Sequence, residues 1–413
     1  MKRVFPIILL AAASAIPLRS EEAAPTAGTP SPSLLSAVLR APSVQALRVK
    51  VDAAKARLGS AGRLPDPTLE AMGSRKRMPM ENRSMFDFTL QQPLPKAGER
   101  AADQDRVRAT VEMAEADFAM MAGEMAMDVS MSVAMSEAAR QRADLLGKQI
   151  TRTEQVLATI DARLASGQGR VTDRLALQSQ LASMRLMVEK ERQMAADAAS
   201  EARSRLGVAQ EVALPEFSAP LAAGLSADAA ASSLAAMARV HEASAMARMA
   251  RASAKPMTSV GLRFSRETTD MGNENTVGLA FMTELPFRGR RYARADERAA
   301  ERDASASRID ADAVRHRVAA AVSRTERAQR FALSALQSSE ETRARLDAEY
   351  DTILRSAGVG GMGGESTVLM LIMIVEKQTD LLIRVVDAEA AAKTAAAELW
   401  RYAPASAFSI PQS

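Results

Sequence analysis

The chain is written twice, 191 residues apart. Arg48-Val49 returns as Arg239-Val240, Pro65 as Pro256, Leu94-Pro95 as Leu285-Pro286, Gly98 as Gly289, Gly167 as Gly358 and Gly169 as Gly360. No gap is needed between these landmarks. The unit is therefore far longer than the roughly 20–50 residues of a solenoid repeat. It reads as a duplicated structural half, and whatever one half folds into, the chain must build two of.

In the first half, Leu34, Leu35, Val38, Leu39, Val44, Leu47 and Val51 fall at helical spacing over residues 33–58, with Pro42 placed to kink or restart the helix. Pro65 and Pro67 end it. Phe86, Phe88 and Leu90 then alternate with Asp87, Thr89 and Gln91, the period of two that marks a strand with one apolar face. Leu69 and Ala71 alternate more weakly before them, so the spacing predicts a hairpin over about 67–92 with a polar tip from Lys76 to Arg83. The second copy keeps the parity, with Val260, Leu262, Phe264 and then Val277, Leu279, Phe281 in a hairpin over about 258–285 whose polar tip runs from Glu267 to Asn275. A proline–glycine corner follows each hairpin: Pro95 and Gly98, then Pro286 and Gly289. Proline is tolerated where a strand ends and a helix starts, and glycine relaxes the turn between them.

Proline-free stretches rich in Ala, Glu, Arg and Met come next, over 99–165 and 290–357. At 1.5 Å per residue each predicts a helix of roughly 100 Å. No compact domain holds such a helix, which needs partners along its whole length. Glycine tips follow, at 166–171 and 358–365, and return helices are expected over 172–206 and 366–402. The two shorter helices of each half, stacked end to end, suffice to flank the long one. The first repeat thus spans 33–207, a linker 208–223, the second repeat 224–402 and a tail 403–413.

Lys2 and Arg3 precede an apolar run from Val4 to Ala13 and small residues at Ala13-Ser14-Ala15, so residues 1–20 read as a secretory signal peptide and 21–32 as a flexible leader. There is no cysteine, which excludes disulfides, thiolate metal sites, cysteine nucleophiles and a lipid-modified cysteine. A net charge of +4, with both signs interspersed, gives no basic patch for nucleic acid. Past the signal no apolar run reaches the ~18 residues of a spanning helix; the best, Val368 to Val375, stops at Glu376. A membrane crossing therefore falls to strands in a closed barrel. Two hairpins give four strands, whereas membrane barrels need about eight or more, so several chains must pool theirs. Three chains would supply twelve.

Enzyme chemistry finds no foothold. His241 and His316 lie in helical stretches without matched carboxylate partners, and the glycine run 358–364 lacks the Lys-Ser/Thr of a phosphate loop. No catalytic, cofactor-binding or resident metal residues are assigned. Met113, Met120 and Met127 fall seven apart, and Met127, Met131 and Met135 four apart. Thioethers are soft ligands, so heavy-metal cations are one expected cargo; adaptable packing in a helical tube is the more ordinary role. At the first tip Gly167 and Gly169 supply the reversal, with Arg163 and Arg170 as a polar rim. Asp161 and Asp173 are candidates for an acidic, cation-attracting aperture, and Asp173 is also placed to cap the return helix.

Helix, hairpin, Pro–Gly corner, very long helix, glycine tip and return helix, in duplicate, is an order that resembles the TolC-like outer-membrane efflux protein family. QPLPKAGER (92–100) and ELPFRGRRYARADERAAE (284–301) look like its strand-to-helix junctions. ARLASGQGRVTDRLALQSQL (162–181) looks like its helical-hairpin motif, through Gly167, Asp173, Leu175 and Leu181. The second tip, Val359 to Gly364, departs from the pattern and offers no match to the aspartate. The resemblance implies a mainly α fold with a small membrane β part. Long helical hairpins would form a trimeric α-barrel in the periplasm, on a shared 12-stranded β-barrel in the outer membrane of a Gram-negative bacterium. It implies a passive exit duct without cofactors, in contact with outer-membrane lipid. Its tips, at Arg163, Gly167, Gly169, Arg170, Gly358 and Gly360, would meet a periplasmic adaptor (a membrane fusion protein) bound to an inner-membrane pump. The alternative is a periplasmic coiled-coil adaptor or scaffold, which should carry one helical hairpin between compact β-domains where this chain carries two.

Overall fold

The computed structural model describes residues 33–78, 81–167, 170–220, 225–269, 272–284, 289–358 and 364–408. The expected signal peptide and leader, together with Gly169, Pro286, Gly360 and the end of the tail, lie outside these residues. In chain order come α1 (Leu34–Arg40), α2 (Pro42–Leu58), β1 (Thr68–Met78), β2 (Glu81–Leu94), α3 (Glu99–Ala165), α4 (Val171–Leu206), α5 (Ala231–Ser253), β3 (Thr258–Thr269), β4 (Gly272–Thr283), α6 (Gly289–Gly358) and α7 (Gly364–Ala397). The 191-residue offset persists in the backbone: β2 and β4 begin at Glu81 and Gly272, and α4 and α7 end at Leu206 and Ala397.

Pro42 does restart the first helix. Ala41 is held extended at φ −62°, ψ 137°, as a residue before proline is, and Pro42 opens α2 at a position where its missing N–H costs nothing. α3 then runs 67 residues unbroken and is the hub of the helical part, with α2 and α5 against its upper half and α4 and α7 against its lower half. Its buried residues include Ala102, Ala109 and Ala116, then Ala119, Ala126 and Val133, in two heptad seams of small side chains that let neighbours approach closely. α4 answers with Leu177, Leu181, Met184, Val188 and Ala195 on one face.

The densest core lies halfway along α3. Leu34, Val38, Val44, Val129, Trp400 and Phe408 close around Ala122 and Ala126. The Trp400 and Phe408 rings meet at 6.1 Å and 51°, a tilted aromatic pair. The Ser218 carbonyl in the linker accepts hydrogen bonds from Trp400 Nε1 (2.8 Å) and Ser130 Oγ (3.0 Å). The return helix expected to reach residue 402 stops at Ala397, and residues 398–402 and 405–408 form tight 3-10 turns. The physical reason is pairing: Ala231 N–H donates to the Ala403 carbonyl, and Ala230 bridges Pro404, so the tail leaves the helix to run beside the start of α5.

The four strands form one antiparallel sheet in the order β1-β2-β3-β4. The expected polar tips are mostly strand. β1 continues to Met78 and β2 starts at Glu81, while β3 continues to Thr269 and β4 starts at Gly272. The apolar alternation ends before the ladder does, because backbone pairing continues wherever the partner strand continues. Among the described residues no helix is long and apolar enough to cross a membrane, a fact that says nothing of a β-barrel.

Candidate functional site

The sheet has two chemically distinct faces. On one, register aligns Leu69, Leu90, Leu262 and Leu279 across all four strands, and Ala71, Phe88, Phe264 and Val277 in the next row. These side chains are exposed rather than buried, Leu279 at 89% and Val277 at 74%. A solvated row of Leu and Phe spanning a sheet is an interaction surface, not a core. Phe86 to Leu94 covers roughly 27 Å along β2, or about 20 Å of depth at a barrel tilt near 40°. That approaches the roughly 25 Å apolar band of a membrane barrel, with Gln92 the polar side chain of β2 on this face. The opposite face carries Glu70, Thr89, Arg263 and Gly278 in one row and Met72, Asp87, Ser265 and Thr276 in the next. There Arg263 Nη2 pairs with Asp87 Oδ2 at 3.1 Å, and Arg83 pairs with Glu267. A polar, ion-paired face behind an apolar one is the section of a wall between lipid and an aqueous lumen.

The corners between sheet and helices are held reciprocally. Gly98 adopts φ +90° just before α3, a conformation that favours glycine, and Pro95 follows the last residue of β2. Lys96 Nζ donates to the Ser253 carbonyl at the end of α5, and Lys255 Nζ donates to the Ala97 carbonyl, both at 2.8 Å. Each lysine thus ties the corner of one repeat to the other, the first of them at a helix C-terminus where cations are favoured. Gly289 is the first residue of α6. Just inside α3, Asp103 accepts from Gly62 N–H and from Arg106, each at 2.9 Å. These bonds, the Gly62 amide first, hold its carboxyl below the ordinary range.

Of the tip residues, Gly167 takes φ +76° just beyond α3, as a helix reversal requires. Arg170 precedes α4, Arg163 lies in the last turn of α3, and Gly358 is the last residue of α6. Asp161 is engaged across the first hairpin by Arg174 Nε at 2.9 Å. Asp173 does not cap α4. The helix begins at Val171 behind Arg170, which places Asp173 inside the first turn, where a carboxylate favours the positive end of the helix dipole. Exposed apolar side chains flank both tips, Val171 and Leu175 on one hairpin and Met370 and Met373 on the other.

Polar cross-links between the repeats were not legible in either repeat alone. Arg142 of α3 lies between Glu191 of α4 and Asp387 of α7. Partial burial works against its charge, but hydrogen bonds to the two carboxylates outweigh that and raise the guanidinium pKa. Nearer the tips, Arg152 of α3 donates to Gln378 Oε1 of α7 (3.1 Å), and Gln378 Nε2 donates to Asp347 Oδ1 of α6 (3.0 Å). Tyr350 beside them has its pKa raised, by burial first and against the pull of Arg152. Lys393 of α7 reaches Glu137 of α3 at 2.9 Å. The signal available in sequence was only that charges fall inside long helices; which pair meets depends on how α7 lies along α3.

His241 does have a carboxylate partner, against expectation: its Nδ1 is 2.8 Å from Glu112 Oε2. The pair joins exposed faces of α5 and α3, so it acts as a surface tie. Met127 is buried in the core with Leu34 and Trp400, and Met120 and Met131 pack against that core, whereas Met135 is half exposed. Among the described residues no group of three or more His, Asp or Glu side chains converges as a metal site.

Residues 34–208 match the family model of the outer membrane efflux protein. No curated protein sequence matches the chain. Solved structures do. The outer membrane protein VceC from the pathogen Vibrio cholerae is similar at 12% identity, over 89% of this chain and 94% of that one, with a TM-score of 0.71. The outer-membrane channel OprN is similar at 17% identity, over 89% and 88%, with a TM-score of 0.70. CusC, described as undergoing conformational changes on folding and transmembrane channel formation, is similar at 16% identity, over 89% and 90%, with a TM-score of 0.70. At these identities the structures establish the fold, and they set aside the coiled-coil adaptor alternative. The first repeat thus carries the sequence pattern of the outer membrane efflux protein family, and over 89% of its length the chain has the fold of the solved outer-membrane channels.

Proposed function

We propose that three copies of this chain assemble into an exit duct of a tripartite efflux system. β1 of one copy pairs with β4 of the next, closing twelve strands into a barrel in the outer membrane. The helices continue it as a tube across the periplasm. A periplasmic adaptor engages the tips and an inner-membrane pump delivers the cargo, so the duct itself does no chemistry. The single observation that carries this reading is the open sheet. Its edge strands β1 and β4 are 11 and 12 residues long, their outer sides are unpaired within the chain, and the sheet faces outward with leucines. Unpaired strand edges cannot face lipid.

The helices support the same closure. α4 and α6 are the outermost members of the helical layer, each packed within the chain on one flank only. Both keep large apolar side chains exposed: Leu175 and Leu186 on α4, Ile309 and Phe331 on α6. Leu175 and Leu186 lie opposite the face that packs on α3. A neighbouring copy supplies what these flanks lack. Heavy-metal cations as cargo rest on the α3 methionines alone, and Met127 is committed to packing.

The test is extraction and reconstitution. The full-length protein, taken from membranes in detergent, should run as a trimer by native mass spectrometry and conduct ions in planar bilayers. A monomer recovered in buffer without detergent overturns the reading.

A further inference from the structure

Charge is sorted between the two faces of the sheet in a way that closing a barrel does not require. The strand acids Glu70, Asp87, Glu267 and Glu274 all share the polar, inward face by register. The basic residues of that face include Arg83 and Arg263, both paired to those acids. The apolar, outward face carries three arginines, Arg75, Arg77 and Arg266, and no acid among its described side chains. All three are exposed.

Their height is as ordered as their side. Arg266 stands in register with Phe86, one outward row beyond Phe88 and Phe264. Arg75 is in the row of Ser84 and Thr268, and Arg77 in the row of Asn82. Moving from the apolar band toward the hairpin ends, the outward surface changes from Leu and Phe to arginine within two or three rows. Each outward row advances about 6.6 Å along a strand, or about 5 Å of depth at a tilt near 40°, so the three rows step from the edge of the band out through the headgroup zone, each within reach of that zone for a side chain as long as arginine. An arginine there extends its apolar stem along the hydrocarbon and its fork toward the interface. The fork binds phosphate oxygens two at a time.

We propose that Arg75, Arg77 and Arg266 form a phosphate-binding belt for the headgroups of anionic lipid in the leaflet around the hairpin ends, the leaflet farther from the helices. The proposal rests on the membrane-barrel reading and goes beyond it by naming the lipid chemistry that the barrel selects. Charge complementarity carries it. An uncompensated basic patch touching an apolar band faces, at that depth, only lipid headgroups, and their anionic group is phosphate. Three copies bring nine arginines to one ring.

The experiment titrates the detergent-solubilised trimer with bis-phosphorylated lipid A and follows bound lipid by native mass spectrometry. The same lipid after enzymatic dephosphorylation and inorganic phosphate alone serve as separate arms. The triple variant Arg75→Gln/Arg77→Gln/Arg266→Gln is expected to bind the phosphorylated lipid at least about fivefold more weakly, roughly the contribution of a single basic residue near an anionic lipid surface. The dephosphorylated lipid is expected to bind wild type and variant alike. Lys76→Gln, the loss of one positive charge between Arg75 and Arg77 but on the inward face, should leave binding unchanged. If the triple variant retains wild-type binding, or if inorganic phosphate displaces the lipid, the belt is overturned. The trimer and its bilayer conductance are read in the same preparations. A wild-type protein that neither trimerises nor conducts sinks the barrel itself, whereas a conducting trimer without phosphate preference sinks only the belt.

Discussion

One helix offers a substitution and its own control. Gly123 and Gly147 both lie inside α3, and glycine costs a helix interior about 0.5–1 kcal/mol relative to alanine. At Gly147 an added Cβ meets nothing within 4 Å. At Gly123 it would stand 2.5 Å from the Trp400 carbonyl oxygen, 3.4 Å from the carbonyl carbon and 3.6 Å from Phe408 Cζ. The nearest atom is backbone, so no rotamer change relieves it; α3 or the 398–402 turn has to move. Inserting a methyl into a packed core costs about 1–3 kcal/mol. Set against the gain in helix propensity, Gly123→Ala should destabilise by about 0.5–2 kcal/mol, and Gly147→Ala should stabilise by about 0.5–1 kcal/mol. The assay is thermal unfolding of the full-length protein in one detergent, followed by circular dichroism, with wild type and both variants side by side. Trp400→Ala should not rescue Gly123→Ala, because the obstacle is the main chain. If both alanines raise the melting temperature together, the close approach of the tail to α3 is wrong.

Arg142→Met should destabilise by about 2–4 kcal/mol, because it strands the mostly buried Glu191 carboxylate without its cation, and the double variant with Glu191→Met should recover much of the loss in the same melts. Arg152→Ala removes the link from α3 to Gln378 and Asp347, so single-channel recordings should show larger or more frequent openings; Arg174→Ala, which frees Asp161 within one hairpin only, should leave them near wild type. Asp103→Asn tests pH dependence. A folded-state pKa held below that of the unfolded chain gives stability that is present above the unfolded value, near 3.9, and is lost as pH falls through the lower folded value. The variant should therefore melt lower than wild type at neutral pH, and the gap should close in strong acid.

The strands were readable because one face must be apolar and the other not, and Phe86, Phe88 and Leu90 write that requirement as a period of two. The strand ends were not. Past Ser84 the outward face meets polar surroundings, the alternation loses its driving force, and the ladder continues on backbone pairing alone. The helices were readable by length and by the absence of proline. What fixes them laterally, Arg142 between Glu191 and Asp387, joins residues 49 and 245 positions apart, and no local pattern reports such a meeting. The core at Trp400 and Phe408 was invisible for another reason: the linker and the tail build it from residues that follow no period.

The two copies share a backbone but not an environment, and the methionines show how far that difference reaches. α6 buries one heptad seam, Ala304, Ala311, Val318 and Thr325. Shifted back by 191 these positions are Met113, Met120, Met127 and Ala134. The methionine stripe that invites a metal reading is therefore the α3 version of a packing seam that α6 fills with smaller residues. α3 uses larger, adaptable side chains there because the equatorial core of α1, the linker and the tail gathers around its middle, and thioether chains fill irregular gaps. α3 also buries a second seam, Ala102, Ala109 and Ala116, whose counterparts on α6 are Ala293, Ala300 and Ser307. Those remain small yet only half buried, because Ala300 and Ser307 line an open groove against α5, beside Met246 and Met249. The face of α6 turned away from its buried seam keeps Ile309 and Phe331 exposed, as a helix built to receive a neighbour would. The same incompleteness recurs in the sheet, where β1 and β4 await partners, so strands and helices call for closure by the same copies.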